Sequence, residues 1–394
     1  MLSHPWWYWL ATTLLFPFLL HWIFRPVLFD AFHQSRSITS VTEDTDLPRY
    51  NDNSLPSHPP VVLSIVIPAY NEEDRLPIML EETVSYLFVK DKGAAAIEVI
   101  QILTANNDYN HDTQPHPRYY AIEILVVDDG CSDGTAEAVR SFAIRSLPPP
   151  ASHKNAATVF LSIRLLSVHP NGGKGGAVRH GMLHALSSIS QQRHPAHHLL
   201  MADADGAADI HDLISLCRAL SPSTSVVVGS RAHLVSSAVQ SRSYVRNLLM
   251  RGFHLAVRMI TSVQSVEDTQ CGFKLFAAPA AETIFRSVHL NGWAFDVEVL
   301  TVCGRAGIGV LEVPVRWKEV RGSKLDSGGR WRLAVVSVGM LRDMLCVRFC
   351  YESGIWKVWK DLERKEHIMS NDKYIDDKKE RKNPYQTNIW QPGR

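Results

Sequence analysis

The 394-residue chain has almost no excess charge, with 41 Lys and Arg against 40 Asp and Glu, a net of +1. Without a basic surplus or a long arginine stripe, nothing in it attracts a polyanion such as nucleic acid. Its six cysteines, Cys131, Cys217, Cys271, Cys303, Cys346 and Cys350, include no CxxC pair and no histidine at zinc spacing. They read as reduced thiols, which argues against a stapled secreted scaffold and favours a body facing the cytosol. The glycine cluster at Asn171–Gly176 follows neither GxGxxG nor GxxxxGK[ST], so dinucleotide-fold and P-loop readings both lack their defining spacing. Apolar runs of membrane length are scarce as well.

What is present is globular: 45% hydrophobic and 21% charged residues, enough for one large domain. Residues 5–24 (PWWYWLATTLLFPFLLHWIF) carry no formal charge. At ~1.5 Å per residue they span roughly the 30 Å of a bilayer core. Tryptophans near both ends suit the two interfaces, and no small-residue cleavage site follows, so residues 1–30 read as an uncleaved transmembrane anchor. Arg25 and Arg36 lie after the span, which places the body in the cytosol. Residues 31–60 are polar and proline-containing, a linker.

The domain expected at 61–330 alternates strands and helices. Val61 to Ile67, Ile122 to Val127, Val159 to Val168 and Leu199 to Ala202 are short β-branched or apolar runs. Each ends in a polar loop, and the first three lead into helical spacing. This alternation predicts right-handed crossovers and a mainly parallel sheet, with ligands beyond the carboxyl ends of its strands. Further strands are expected at Ser225 to Gly229 and Gly309 to Trp317. Residues 90–120, longer than an ordinary connection, read as a surface insertion. Residues 331–359 predict a helix with apolar surface interrupted by Arg332, Arg342, Asp343 and Arg348. It either lies in a membrane interface or packs on the sheet. The tail 360–394 is charged and reads as mobile.

The chemistry gathers at Met201-Ala-Asp203-Ala-Asp205-Gly206. A strand points residues i and i+2 to one side, so two hard oxygen ligands project together, as Mg²⁺ or Mn²⁺ requires when a nucleotide's phosphates complete the shell. An EF-hand reading fails, because Ala207 and Ala208 stand where an acid and a glycine are needed. Asp128 and Asp129 end another strand, and the Gly172 helix start lies at the same expected edge. Together these residues resemble family 2 inverting glycosyltransferases.

Within that group, Pro68-Ala-Tyr-Asn-Glu-Glu, Val127-Asp-Asp-Gly, Asn171-Gly-Gly-Lys-Gly-Gly-Ala, Val228-Gly-Ser-Arg and Asp268-Thr-Gln-Cys-Gly-Phe-Lys-Leu-Phe are similar to the dolichyl-phosphate β-glucosyltransferase family. The likeness covers residues 60–350, with Cys131 standing where the family often has serine. It implies a GT-A, Rossmann-like α/β fold and transfer of glucose from UDP-glucose to dolichyl phosphate on the cytosolic side of the endoplasmic reticulum membrane. Pro68, Ala69, Tyr70, Glu72, Asp128, Asp129, Lys174 and Asp203 are then expected around the nucleotide sugar, and Asp205 on the metal. Arg231 would neutralise the leaving group. Asp268 would act either as a base or in positioning, and Arg321 and Lys324 would hold the acceptor phosphate. The same chemistry with GDP-mannose and a non-catalytic tethered nucleotide-sugar binder are the alternatives. A processive synthase would need several spans and a QxxRW motif.

Overall fold

The computed structural model describes residues 21–22, 24, 40–43, 59–105, 119–152, 157–187, 196–233, 266–320 and 329–359. In chain order these give β1 (Ser40–Glu43), β2 (Val61–Ala69), α1 (Leu76–Val84), α2 (Ala94–Ala105), β3 (Tyr119–Asp128), α3 (Thr135–Ser146), β4 (Thr158–His169) and α4 (Gly173–Leu186). Then follow β5 (His198–Ala202), α5 (Leu213–Ala219), β6 (Val226–Ser230), β7 (Phe273–Ala277), α6 (Ala278–Ser287), α7 (Phe295–Ala306), β8 (Val310–Pro314) and α8 (Gly329–Glu352). All six cysteines are free thiols.

The strands form one sheet in the order β1-β4-β3-β2-β5-β7-β6-β8. Strands β4, β3, β2 and β5 run parallel, as does the β6–β8 pair, while β1 and β7 are antiparallel to their neighbours. Alternation along each strand divides two cores. Leu63, Ile65, Ile67, Ile122, Ile124 and Val126 face α1, α2, α3 and α5. Val61, Val66, Leu125, Val127, Leu199 and Met201 face α4, α6, α7 and the inner side of α8. Both faces of the central strands are covered, so those strands are mostly apolar. The chain leaves β2 toward β3 and β4, then returns to β5 on the other side of β2. That reversal opens a crevice between the carboxyl ends of β2 and β5, where ligands of such sheets bind.

One expectation changes here, and one strand is added. Residues 94–105 are not a surface insertion: Ile97, Val99, Ile100 and Leu103 of α2 are buried in the first core. Their apolar spacing continues the domain, and residues 106–118 lie outside the described part. The run after Asp268 is a strand, β7, inserted antiparallel between β5 and β6.

Helix α8 has two faces. Met344, Cys346, Val347, Cys350 and Tyr351 are buried, and the Tyr351 hydroxyl donates to the Ser287 carbonyl (2.8 Å) and Glu298 (3.0 Å). Val335, Val338, Leu341, Leu345 and Phe349 are exposed along the opposite side. Phe24 meets Phe349 edge-on at 4.8 Å, and the Arg342 guanidinium lies 5.9 Å from the centre of the Trp22 ring. Among the described residues no helix is long and apolar enough to cross a membrane. The expected span at 5–24 lies outside them except for His21, Trp22 and Phe24.

Candidate active site

The crevice is built from the loops that follow β2, β3, β4, β5 and β6 and the one that leads into β7. Beyond β2, Asn71 takes a left-handed conformation (φ 53°) and its side-chain oxygen accepts the Ser132 N–H at 2.8 Å. The Glu72 N–H donates to the Thr135 hydroxyl at 2.8 Å, and the Gly134 N–H to Glu73 at 2.7 Å. These bonds lock the loop after β2 to the loop after β3. Ala69 is buried and Tyr70 exposed beside them, with Pro68 partly covered in the strand. The Glu72 carboxylate is gripped by Arg75 through two 2.7 Å bonds. It therefore shapes the loop, and its charge is already matched.

The two acids ending β3 have different jobs. Asp128 accepts the Cys131 N–H at 2.8 Å. Asp129 accepts the Gly172 and Gly173 N–H groups, one on each oxygen, at 2.7 and 2.9 Å. Gly173 has φ +81°, which only glycine adopts without strain, and this turns both amides toward the acid. Burial pushes the Asp129 carboxyl up to about 6 despite those bonds. Through those bonds Asp129 braces the start of α4.

Lys174, in the first turn of α4, reaches Asp203 beyond β5. Its ammonium lies 2.8 Å from Oδ1 without the alignment of a hydrogen bond, and 3.0 Å from Oδ2 with it. Burial would lower the lysine's pKa, but the carboxylates of Asp203 and Asp296 outweigh it, and the net direction is up. Trp293, exposed at the mouth, lies with its ring centre 5.5 Å from that ammonium. Asp205 is half-buried, and its Oδ1 accepts the Ala207 N–H at 3.0 Å.

Arg231, just after β6, and Asp268, just before β7, form a fork. Nε and Nη2 donate to the two carboxylate oxygens at 2.7 and 2.8 Å, and the Arg231 backbone N–H adds a third bond at 2.9 Å. Burial alone would raise the Asp268 pKa, yet these bonds and the guanidinium charge carry it below the ordinary value. The Trp317 ring centre lies 5.5 Å from the guanidinium carbon. Glu312 of β8 accepts the Glu267 and Asp268 N–H groups at 2.8 and 2.9 Å and fixes the loop. In this geometry Asp268 is the ion-pair partner of Arg231.

Of the expected residues, the folded sheet thus brings Ala69, Tyr70, Asp128, Lys174, Asp203, Asp205, Arg231 and Asp268 to one edge. Arg321 and Lys324 lie outside the described residues. Sequence reading missed Trp293 and Trp317, whose rings face Lys174 and Arg231, and Asn291, whose carbonyl accepts the Gly175 N–H at 2.8 Å. An isolated tryptophan in a loop gives no periodic signal. Among the described residues no three His, Cys, Asp or Glu side chains cluster as a ready-made metal site. Asp205 fits a partial shell, of the sort Mg²⁺ and Mn²⁺ accept when phosphates and water supply the rest.

The family model for glycosyl transferase family 2 matches residues 64–274, from β2 through the start of β7. A dolichyl-phosphate β-glucosyltransferase of Dictyostelium discoideum is 36% identical over 76% of this chain and 77% of its own length. The chain belongs to glycosyl transferase family 2, in its dolichyl-phosphate β-glucosyltransferase branch. Proteins of the same name from Homo sapiens (35% identical, 75% of this chain and 78% of theirs) and Saccharomyces cerevisiae (34%, 75% and 77%) agree. A glucosyl-3-phosphoglycerate synthase from Mycobacterium tuberculosis, solved with Mn²⁺ and UDP-glucose, overlaps at a TM-score of 0.40 and 15% identity, over 71% of this chain and 78% of that one. That overlap is too loose to speak for the site of this family 2 protein.

Proposed function

We propose that this family 2 enzyme transfers glucose from UDP-glucose to dolichyl phosphate with inversion, at the cytosolic face of the endoplasmic reticulum membrane. The observation that carries the reading is the pairing of Lys174 with Asp203 and of Arg231 with Asp268 at one crevice, in a chain 34–36% identical to enzymes named for that acceptor. One oxygen of the acceptor phosphate bonds to the anomeric carbon while the bond from that carbon to the UDP oxygen breaks. The electron pair leaves with UDP, and α-linked glucose becomes β-linked.

A phosphate monoester has its second pKa near ~6, so the acceptor is mostly dianionic at neutral pH and attacks without a base. This agrees with an Asp268 held in its ion pair. Arg231, kept rigid by that pair, offers its remaining N–H donors to growing negative charge. Lys174 orients Asp203 toward the hexosyl and ribose groups, while Ala69, Tyr70 and Asp128 line the nucleoside. Asp205 would hold Mg²⁺ or Mn²⁺, which when bound offsets charge on the leaving diphosphate. Arg321 and Lys324 are proposed for the acceptor phosphate.

Residues 1–30 are proposed as the anchor, and the exposed face of α8 as lying on the bilayer surface. Phe24, at the end of the uncharged run, is seated on Phe349 of that very face, so anchor and stripe meet one lipid surface. The test incubates membranes bearing the full chain with dolichyl phosphate and labelled UDP-glucose or GDP-mannose. Glucolipid is expected. Mannolipid without glucolipid refutes the donor, and UDP-glucose binding without either lipid refutes catalysis.

A further inference from the structure

Behind the crevice lies a second lysine–carboxylate pair, almost wholly buried. Lys274 sits in β7 between Met201 of β5 and Val228 of β6, and is 1% exposed. Its ammonium donates to Asp296 Oδ1 and to the Cys271 carbonyl, both at 2.6 Å. Asp296, in the first turn of α7, is 3% exposed. A buried pair of this kind adds little stability over well-packed apolar residues of the same volume. Its position says more.

The Cys271 carbonyl leads directly into Gly272, whose α-carbon packs against Asp203. A β-carbon on Gly272 would lie 2.0 Å from Asp203 Oδ2 and 2.2 Å from Cγ. Three residues before Cys271 stands Asp268, which holds Arg231. The turn 268–272 therefore touches both charge pairs of the crevice, and Lys274 is the group that ties its carbonyl down.

We infer that Asp296 and Lys274 are positioning residues for glycosyl transfer: their buried pair fixes the turn 268–272, and through it the placing of Asp203 and of the Asp268–Arg231 fork. The inference rests on the transfer reading for its functional half. Neither residue touches substrate, so the effect falls on the rate constant and not on acceptor binding. A positional error of ~1 Å is enough for about a hundredfold loss.

The test replaces both partners in the full-length protein, Lys274→Met with Asp296→Leu, which keeps volume and leaves no orphaned charge; Lys274→Met alone is made in parallel. The double variant is expected to unfold within a few degrees of the parent. Its kcat should fall at least tenfold with KM for dolichyl phosphate within twofold, and amide hydrogen exchange at residues 269–273 should quicken at least tenfold. Parental kcat in the folded double variant overturns the inference and leaves the pair a packing feature. Unchanged exchange at 269–273 overturns it equally. If the parent itself makes no glycolipid, the transfer reading fails, while exchange still decides whether the pair fixes the turn.

Discussion

Replacing Asp268 by Asn separates a base from a partner. The carboxylate accepts three bonds from Arg231, all at 2.9 Å or less, and its side chain is 12% exposed against 31% for the arginine. Breaking a fully buried pair from one side costs about 3–5 kcal/mol. With the guanidinium this open to water, about 2 kcal/mol is the reasonable figure. The larger effect is on rate: Asn keeps one acceptor oxygen but turns an N–H toward the guanidinium, so Arg231 loses its fixed direction. About a hundredfold fall in kcat is expected. Arg231→Lys, which cannot fork, should fall by a similar factor, and the double variant should be no worse than either, because the two act as a unit. The pH profile is decisive. The Arg231 bonds hold the Asp268 pKa below its ordinary value of 3.8. The acid limb should therefore follow the acceptor phosphate near ~6, and should persist unchanged in Asp268→Asn. A limb that disappears in this variant, or a loss of 10⁴-fold with Arg231→Lys near normal, would refute the partner role and restore Asp268 as a base.

Gly272→Ala places a methyl group against Asp203. It should cut turnover by about a hundredfold, with an overpacking cost of about 1–3 kcal/mol in chemical denaturation. Asp205→Ala should abolish metal-stimulated turnover while the protein folds normally, and Mg²⁺ or Mn²⁺ dependence surviving in that variant would move the metal elsewhere. Asp129 has a folded pKa raised from 3.8 to about 6, so its contribution to stability is present below about pH 4 and lost as pH rises through 6. The difference of about 2 units corresponds to roughly 3 kcal/mol. The stability advantage of the parent over Asp129→Asn should shrink by that order between pH 4 and 7. On α8, Val338→Asp with Leu345→Asp changes two exposed side chains. It should raise KM for dolichyl phosphate several-fold in vesicles but not in detergent, and an equal effect in both would remove the lipid surface.

The parallel half of the sheet was legible because β2, β3, β4 and β5 are mostly apolar on both faces and stop at acids or prolines, a pattern that owes nothing to distant contacts. The motif acids were legible for the same reason, since Asp128 and Asp203 stand at strand ends. What could not be read was who holds whom. Asp129 looks like its neighbour Asp128 in sequence, and only the left-handed Gly173 turns two amides onto it. Residues 94–105 looked like an insertion because a linker-like Asn/Asp/His segment follows them, while their burial depends on α5 packing alongside. Strand β7 was hidden by Lys274, a charge in a five-residue run, whose partner Asp296 is 22 residues away.

Those pairings also decide what the crevice lacks. Lys174 is matched by Asp203, Arg231 by Asp268, Lys274 by Asp296 and Arg75 by Glu72. Each pair is close to neutral, while Asp128 and Asp205 have no ion pair among the described residues. A nucleotide diphosphate and a phosphate dianion brought into this crevice would meet little net positive charge from the described residues. Like charges at such separations repel by several kcal/mol where water is scarce. Charge from outside these pairs is therefore expected, and the two proposed sources would supply it: a divalent ion on Asp205, and the basic side chains Arg321 and Lys324. The first would serve the leaving diphosphate and the second the acceptor. Removing metal with a chelator should then abolish turnover with every donor, whereas Arg321→Ala with Lys324→Ala should raise KM for dolichyl phosphate and leave UDP-glucose binding intact. If that double variant weakened donor binding instead, Arg321 and Lys324 would belong to the diphosphate and the acceptor's cation would have to be sought elsewhere.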